Sequence, residues 1–372
     1  MPTPPLADEV LIEAVALRNE HKTLQDAANA AGISWHSFNN RLTRAAERGL
    51  DGSVPRAVPL GQRIKGVSTL YNAAGDVAAQ WVKTDRDKLD PAEIVEQIRE
   101  ALAEYDGTAE PTPAPVADNA LATIFPVVDA HFGLMTWKQE SGHDYDLKIA
   151  EKTIRDSMSR LFEASPASST AVILGLGDLL HSDGYEPVTK RSRNVLDVDS
   201  RYPKILKTAT TLLVWMIDRA LEKHGQVLVR ILPGNHDDQS AIAVSLALSM
   251  RYSSHPRVTV DDDPSRFWYW SWGATLLGAT HGDMAKMADL PGLMAQQRPK
   301  EWGASKFRAV YTGHIHHQSA IEKLGVVVES FQTTAVPDAW HAGMGYGSGR
   351  SVVSITHCRE RGEISRARVN VR

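Results

Sequence analysis

Val227-Leu228-Val229-Arg230-Ile231-Leu232-Pro233-Gly234-Asn235-His236-Asp237-Asp238 is the stretch on which the reading of this chain turns. Its first five residues are mostly apolar and rich in β-branched side chains, and the run has the length of a buried strand. Pro233-Gly234 then breaks that strand. Asn235 offers a neutral oxygen, His236 an imidazole and Asp237 a carboxylate. Polar groups at the carboxyl end of a parallel strand occupy the usual ligand position of an open α/β sheet.

Four further apolar runs end in the same manner. Ala122 to Val128 leads into Asp129-Ala130-His131, and Ala171 to Leu176 leads into Gly177-Asp178-Leu179-Leu180-His181. Ala274 to Thr280 leads into His281, and Arg308 to Thr312 leads into Gly313-His314-Ile315-His316-His317. Amphipathic helices are expected between them. Leu147 to Phe162 aligns Ala150, Ile154, Met158, Leu161 and Phe162, and Tyr202 to Lys223 aligns Ile205, Leu206, Ala209, Leu213, Met216 and Ile217. Strands alternating with helices predict an α/β core with a parallel sheet covered on both faces. Phe267 to Thr280 reads as two strands meeting at Gly273, with its Trp/Tyr run serving sheet packing.

The first 120 residues have another character. Residues 1–60 read as three helices: one striped with Val10, Leu11, Ala14, Val15 and Leu17, a short Ala-rich one from Thr23, and a third from Trp35 to Leu50 behind Gly32 and the capping residue Ser34. Helix, glycine turn and capped helix make a helix-turn-helix layout. Arg41, Arg44 and Arg48 share a face of the third helix with Asn40 nearby, and such side chains pair with base edges and phosphates. Residues 61–105 read as a β-hairpin over 62–84, a wing or a connector, followed by a helix from Ala92 to Tyr105 behind Pro91. Residues 106–118, with three prolines, read as a linker, and 119–372 as the α/β domain.

Composition narrows the function classes. The chain has 372 residues, 42% hydrophobic and 23% charged, which suits a globular protein of two or three domains. A net charge of -4 means that DNA contact, the expected partnership, needs a local basic patch. One cysteine, Cys358, excludes an internal disulfide. With no signal-peptide pattern and no apolar run of membrane-spanning length, the expectation is a cytoplasmic protein with no membrane partner.

The polar groups at the strand ends are imidazoles, carboxylates and one amide, with no thiolate. Provided the strands share a sheet, they converge on one rim. Such a donor set suits Mn, Fe, Zn or Ni. Paired divalent ions about 3.5–4 Å apart can hold a bridging hydroxide and clamp both oxygens of an in-line displacement at phosphorus. Asp178 is the carboxylate placed to bridge.

In their order, Asp-x-His, Gly-Asp, Gly-Asn-His-Asp, a lone His after a strand and Gly-His-x-His, these motifs resemble the calcineurin-like metallophosphoesterase superfamily, from about Leu121 to the C-terminus. The resemblance implies a four-layer α/β/β/α sandwich and two divalent metal ions, with Mn favoured. It implies that Asp129, His131 and His316 hold one ion, that Asn235, His281 and His314 hold the other, and that Asp178 bridges them. His236 would then donate a proton to the leaving oxygen or stabilise the transition state, with Asp237 orienting its ring.

Gly177-Asp178-Leu179-Leu180-His181 departs from the Gly-Asp-x-x-Asp-Arg-Gly of the protein phosphatases and is similar to the Gly-Asp-x-x-His of the repair-exonuclease branch. That likeness gives His181 a part in catalysis or in positioning phosphate. The polar loop from Ser182 to Arg201 is expected to lie over the site, with Arg191, Arg193 and Arg201 binding the substrate backbone. The whole layout also resembles phage or prophage metallophosphoesterases with a helix-turn-helix front end. The leading expectation is thus a phosphodiesterase acting on nucleic acid. Alternatives are an esterase for small nucleotides or phosphoproteins, and a non-catalytic DNA-binding regulator.

Overall fold

A computed structural model describes residues 8–52, 54, 58, 62–71, 77–86, 114–189 and 192–371. The expected hairpin turn at 72–76, the helix over 92–105, most of the linker and Arg191 lie outside the described residues. Two units divide the chain, Met1–Leu89 and Asp90–Arg372.

The first unit contains α1 (Asp8–Glu20), α2 (Leu24–Ala30) and α3 (Trp35–Glu47), then the antiparallel pair β1 (Gln62–Tyr71) and β2 (Val77–Arg86). The expected Ser34 cap forms, and Thr23, read as the first residue of the second helix, caps that helix. Thr23 Oγ1 accepts the Asp26 N–H at 3.1 Å, and Ser34 Oγ accepts the Ser37 N–H at 3.1 Å, each satisfying an N–H that the helix leaves open. Gly32 turns the chain between them at φ 68°. Ala14, Ala27, Ala28 and Phe38 form the shared core, with Leu17, Leu24, Ile33 and Leu42 around it. The third helix ends at Glu47, three residues short of the expected Leu50.

The second unit runs β3 (Asp118–Val127), α4 (Lys138–Ser141), α5 (Leu147–Ala164), β4 (Ser168–Gly175), α6 (Tyr202–Leu221), β5 (Gln226–Ile231), α7 (Ser240–Tyr252) and β6 (Val258–Asp261). It continues with β7 (Phe267–Trp272), β8 (Thr275–Thr280), α8 (Leu290–Gln297), α9 (Pro299–Ala304), β9 (Phe307–Thr312), β10 (Ser319–Lys323) and β11 (Val326–Ser330). α10 (Ala339–Gly343), β12 (Arg350–Cys358) and β13 (Gly362–Val371) close it. Asp118, expected to end the linker, already belongs to β3.

The strands form two mixed sheets, the two inner layers of the expected sandwich, and the ligand-bearing strands are divided between them. One sheet has the order β13-β12-β3-β4-β5-β6 and the other β10-β11-β9-β8-β7. β3 to β6 run parallel, as do β8, β9 and β11, while antiparallel pairs close the remaining edges. A hairpin turns at Gly273 (φ 55°). It pairs β7 with β8 and starts a new sheet.

The inner faces pack on each other. Ile124, Leu174 and Ile355 from one sheet meet Trp268, Leu277 and Tyr311 from the other in a single buried cluster. Outside the larger sheet lie α5, α6 and α7, with Phe162 of α5 against Phe125 of β3 at 4.6 Å between ring centres. Outside the smaller sheet, Leu290 and Met294 of α8 cover Leu276, Val310 and Val328. The result is a helix/sheet/sheet/helix sandwich, the expected four layers. No helix among the described residues is long and apolar enough to cross a membrane.

Candidate metal centre

The carboxyl ends of β3, β4, β5, β8 and β9 meet at one edge of the sandwich, so the site draws side chains from both sheets. Asp129, His131 and His316 place ligand atoms within 4.8 Å of one another, and so do Asp178, His281 and His314. Asn235 joins the second group, its Oδ1 lying 3.1 Å from His281 Nε2. The groups touch. His131 Nε2 is 3.9 Å from Asp178 Oδ2, which is itself 3.2 Å from His281 Nε2. Asp178 therefore stands between the two groups, where a bridging carboxylate was expected.

The backbone at these positions is unusual. Among the described residues seven non-glycine residues have positive φ, and five are candidate ligands: Asp129 (43°), His131 (44°), Asp178 (50°), His314 (69°) and His316 (57°). A left-handed conformation at a residue with a Cβ costs on the order of 1–3 kcal/mol and collects at functional sites. Here it turns side chains back from the strand ends into one pocket. The glycines beside them are also explained. A Cβ on Gly177 would lie 2.7 Å from His281 Cγ, one on Gly234 2.8 Å from Asp178 Cγ, and one on Gly313 2.8 Å from Asp129 Oδ2.

Four of the ligand candidates are aimed by neighbours. His314 N–H donates to both Asp129 oxygens, at 2.9 and 3.2 Å, and Thr333 Oγ1 donates to the Asp129 carbonyl at 2.6 Å. His236 N–H donates to Asp178 Oδ1 at 2.8 Å. His281 Nδ1 donates to the Leu176 carbonyl at 2.8 Å, which points Nε2 toward Asp178 and Asn235. His131 Nδ1 meets His181 Nδ1 at 3.2 Å, leaving His131 Nε2 to face His316 Nε2 at 3.1 Å.

Burial and crowded charge dominate the electrostatics. Burial pushes the Asp129 carboxyl up to about 8 against the opposing charge of His281, with Asp178 adding to the rise. For Asp178 burial acts upward, yet the charge and hydrogen bond of His281 overcome it and hold this carboxyl well below its usual range. Burial likewise opposes protonation of His281, and Asp178 and Asp129 lift it to about 10 all the same. Burial lowers His181 and His316 to about 3. It also takes His131 well below the ordinary imidazole value, helped by the neighbouring imidazoles. Metal binding releases protons from its ligands, and once His281 and Asp129 give up theirs, neutral imidazoles beside buried carboxylates are the donors that borderline divalent cations take. The residues therefore fit a pair of such ions.

His236 and His181 stack 5.3 Å apart beside His131, so the expected catalytic pair does border the ligands. The expectation for Asp237 is corrected. Its carboxylate accepts the N–H groups of Gly234 (2.9 Å), Leu180 (3.1 Å) and Asp178 (3.2 Å) and fastens two ligand loops together. The ring of His236 is held instead by the His181 carbonyl, 2.8 Å from Nδ1. Three unsatisfied N–H groups in a buried turn attract the carboxylate more strongly than one ring N–H does.

Other expected contacts fare unevenly. Arg193 lies in the loop after β4 at φ 58° with its guanidinium 3.7 Å from Glu186, and Arg201 is exposed at the start of α6. In the first unit Arg41, Arg44 and Asn40 lie half-buried along α3. Arg48 departs from the expected face. It follows the helix, and its Nη1 and Nη2 form a two-pronged ion pair with Asp8, forty residues upstream. Sequence reasoning passed over His341, whose ring stacks on His316 at 5.2 Å and 19° and whose Nδ1 meets Asp338 Oδ1 at 2.7 Å. The strand-end pattern gave it no role, because Asp338-Ala339-Trp340-His341 follows no apolar run, and the likeness of this stretch to phage metallophosphoesterases was the one signal that pointed to it.

No protein-family model matches the chain. No curated protein matches it either. Among solved structures it is similar to a predicted phosphoesterase from Streptococcus pneumoniae TIGR4, at 10% identity over 68% of this chain and 99% of that one, with a TM-score of 0.29. An archaeal phosphodiesterase is similar at 12% identity over 68% and 99%, with a TM-score of 0.34. A dimetal phosphatase from Danio rerio is similar at 10% identity over 68% and 100%, with a TM-score of 0.36.

Proposed function

We propose that this chain is a two-metal phosphoesterase of the calcineurin-like type that hydrolyses phosphodiester bonds in nucleic acid. One observation carries the reading: seven donor side chains from five strand ends in two sheets meet around Asp178, five of them on left-handed backbone. Asp129, His131 and His316 would hold one divalent ion and Asn235, His281 and His314 the other, with Asp178 shared. Mn suits these donors, as do Fe, Zn and Ni. Such ions act as Lewis acids on a phosphoryl oxygen and neutralise charge that develops during displacement.

The chain's own residues do the rest. His236, with Nδ1 tied to the His181 carbonyl, keeps Nε2 for a phosphoryl or leaving-group oxygen and can pass it a proton. His181 is a positioning residue, holding the ring of His131 through Nδ1 and the ring of His236 through its carbonyl. Asp237 keeps the two loops in register. Arg193 and Arg201 border the loop expected to meet the substrate backbone, and Arg41, Arg44 and Asn40 of α3 are the side chains offered to DNA by the first unit. The Gly-Asp-x-x-His motif supports placing the chain nearer the repair exonucleases than the protein phosphatases.

The test supplies purified full-length protein with Mn²⁺ and with single- and double-stranded DNA, bis-p-nitrophenyl phosphate and p-nitrophenyl phosphate. Cleavage of DNA and of the diester over the monoester is expected, with loss of both in Asp178→Asn. Turnover of the diester without DNA cleavage moves the substrate to small nucleotides. Preference for the monoester refutes the diesterase reading, and activity unchanged in Asp178→Asn refutes the site.

A further inference from the structure

Around α10 the surface beside the metal centre is aromatic. Trp340, Met344 and Tyr346 are 61%, 59% and 57% exposed, although large apolar side chains of this kind are normally covered. They belong to one cluster. Trp340 and Tyr346 lie 5.7 Å apart, and each contacts the His341 ring, at 4.9 and 6.2 Å. His341 in turn stacks on His316 at 5.2 Å. One ring contact thus separates the exposed rings from a candidate metal ligand.

The cluster is held in place. Asp338 caps α10 through the His341 N–H at 2.7 Å and binds the His341 ring on the same oxygen. Ser348 Oγ donates to the His316 carbonyl at 2.8 Å, which fastens the chain just beyond Tyr346 to the ligand loop. A short helix anchored at both ends and left with bare ring faces is ready to receive a flat ligand without reordering. Rigid rings lose little entropy on binding.

We infer that Trp340 and Tyr346 form a stacking subsite for the nucleobase attached to the phosphate handled at the metal centre. This rests on the phosphodiesterase reading above and names what the site recognises next to the phosphate. A base hangs from its phosphate by one sugar, and one ring, His341, lies between the candidate ligand His316 and the exposed faces. Stacking accepts any base, so the subsite supports hydrolysis without sequence preference. It favours single strands, whose bases are free to leave the stack.

Calorimetry on the full-length chain supplied with Mn²⁺ tests this, with thymidine 5′-monophosphate and 2-deoxyribose 5-phosphate as probes. The two share the phosphate and sugar and differ only in the base. The nucleotide is expected to bind about 5- to 150-fold more tightly, the range of one base stacked on an aromatic side chain. Trp340→Ala with Tyr346→Ala should bring the two affinities together, while Trp340→Phe keeps the gap. Equal affinities in the parent, or a gap that survives the double substitution, overturn the subsite and leave the phosphate site standing. Failure of both probes to bind removes the phosphate site, and the subsite with it. A thermal melt unchanged in the double variant shows that the fold is intact.

Discussion

Gly234→Ala is the sharpest test of how the centre is built. A Cβ at this position lies 2.8 Å from Asp178 Cγ and closer still to Oδ1 and the backbone N. Asp178 has little freedom to retreat. Its backbone is left-handed at φ 50°, its Oδ1 accepts the His236 N–H at 2.8 Å, and its N–H donates to Asp237 at 3.2 Å. Overpacking of this kind costs about 1–3 kcal/mol. Losing a hydrogen bond to a charged group adds about 1.5–3 kcal/mol. A net loss of about 2.5–6 kcal/mol is expected, which for a domain of this size lowers Tm by roughly 5–24 °C. A carboxylate displaced by about 1 Å between two ions should also lower kcat/KM about 100-fold. The measurements are thermal denaturation, metal content per chain and bis-p-nitrophenyl phosphate hydrolysis. Gly303→Ala is the control, because its Cβ meets nothing within 4 Å in α9, and it should leave stability unchanged or raise it by up to about 1 kcal/mol. Should Gly234→Ala keep its metals and work within threefold of the parent, the packing argument for this loop is wrong.

Chelation is expected to destabilise the second unit. An ion held at a hundredfold excess over its Kd contributes about 2.7 kcal/mol, so EDTA should lower Tm and readdition should restore it; an unchanged melt speaks against metal binding. His224 provides a pH test well away from the centre. Burial, with help from the Lys223 charge, lowers it from 6.5 to about 4, so the unfolded chain takes up this proton first. Its contribution to stability is complete above pH 6.5 and falls with acidification, by about 2 kcal/mol at pH 5. His224→Leu should flatten that slope relative to the parent in denaturant titrations at pH 5 and 7, and parallel slopes would contradict the assignment. Arg230 is 1% exposed and binds Asp261 Oδ1 at 3.0 Å and the Ser265 carbonyl at 2.7 Å. Arg230→Met strands these acceptors and should cost about 3–5 kcal/mol in urea unfolding; a loss under 1 kcal/mol would show that water replaces the guanidinium.

The strand ends were legible because each joins two signals, an apolar run and a polar turn, within ten residues. Val227 to Ile231 followed by Pro233-Gly234 needs nothing from the rest of the chain to be read. Which strand belongs to which of the two sheets was not legible from the residues. Leu276 and Leu277 look like Val172 and Ile173 in sequence, and only their partners, Arg308 and Ala309 against Leu228 and Val229, assign them to different sheets. Strands β10 to β13 went unread because they offer weak alternation and no ligand to draw attention. The pair Arg48–Asp8 escaped for the same reason as the split, since helical periodicity shows a face and not what another helix brings to it. Asp237 was misjudged through proximity. A carboxylate beside a histidine in sequence was given to that ring, whereas three N–H groups of the folded loops hold it.

The left-handed ligands explain why the motifs are worded as they are. Glycine would adopt these backbones without strain, but Asp129, His131, Asp178, His314 and His316 must carry a side chain, so the strain stays and something must hold it. What holds it is reciprocal. His314 N–H fixes Asp129 across the two sheets, His236 N–H fixes Asp178 across two loops, and the Leu176 carbonyl fixes His281 across the two sheets again. Ligand loops of one sheet are thus oriented by backbone of another element, which ties the centre to the registration of the sandwich. A substitution that lets the sheets slip should disturb every ligand at once, whereas removal of one side chain leaves the other six aimed. That asymmetry separates the glycines and Asp237, which govern registration, from the donors themselves.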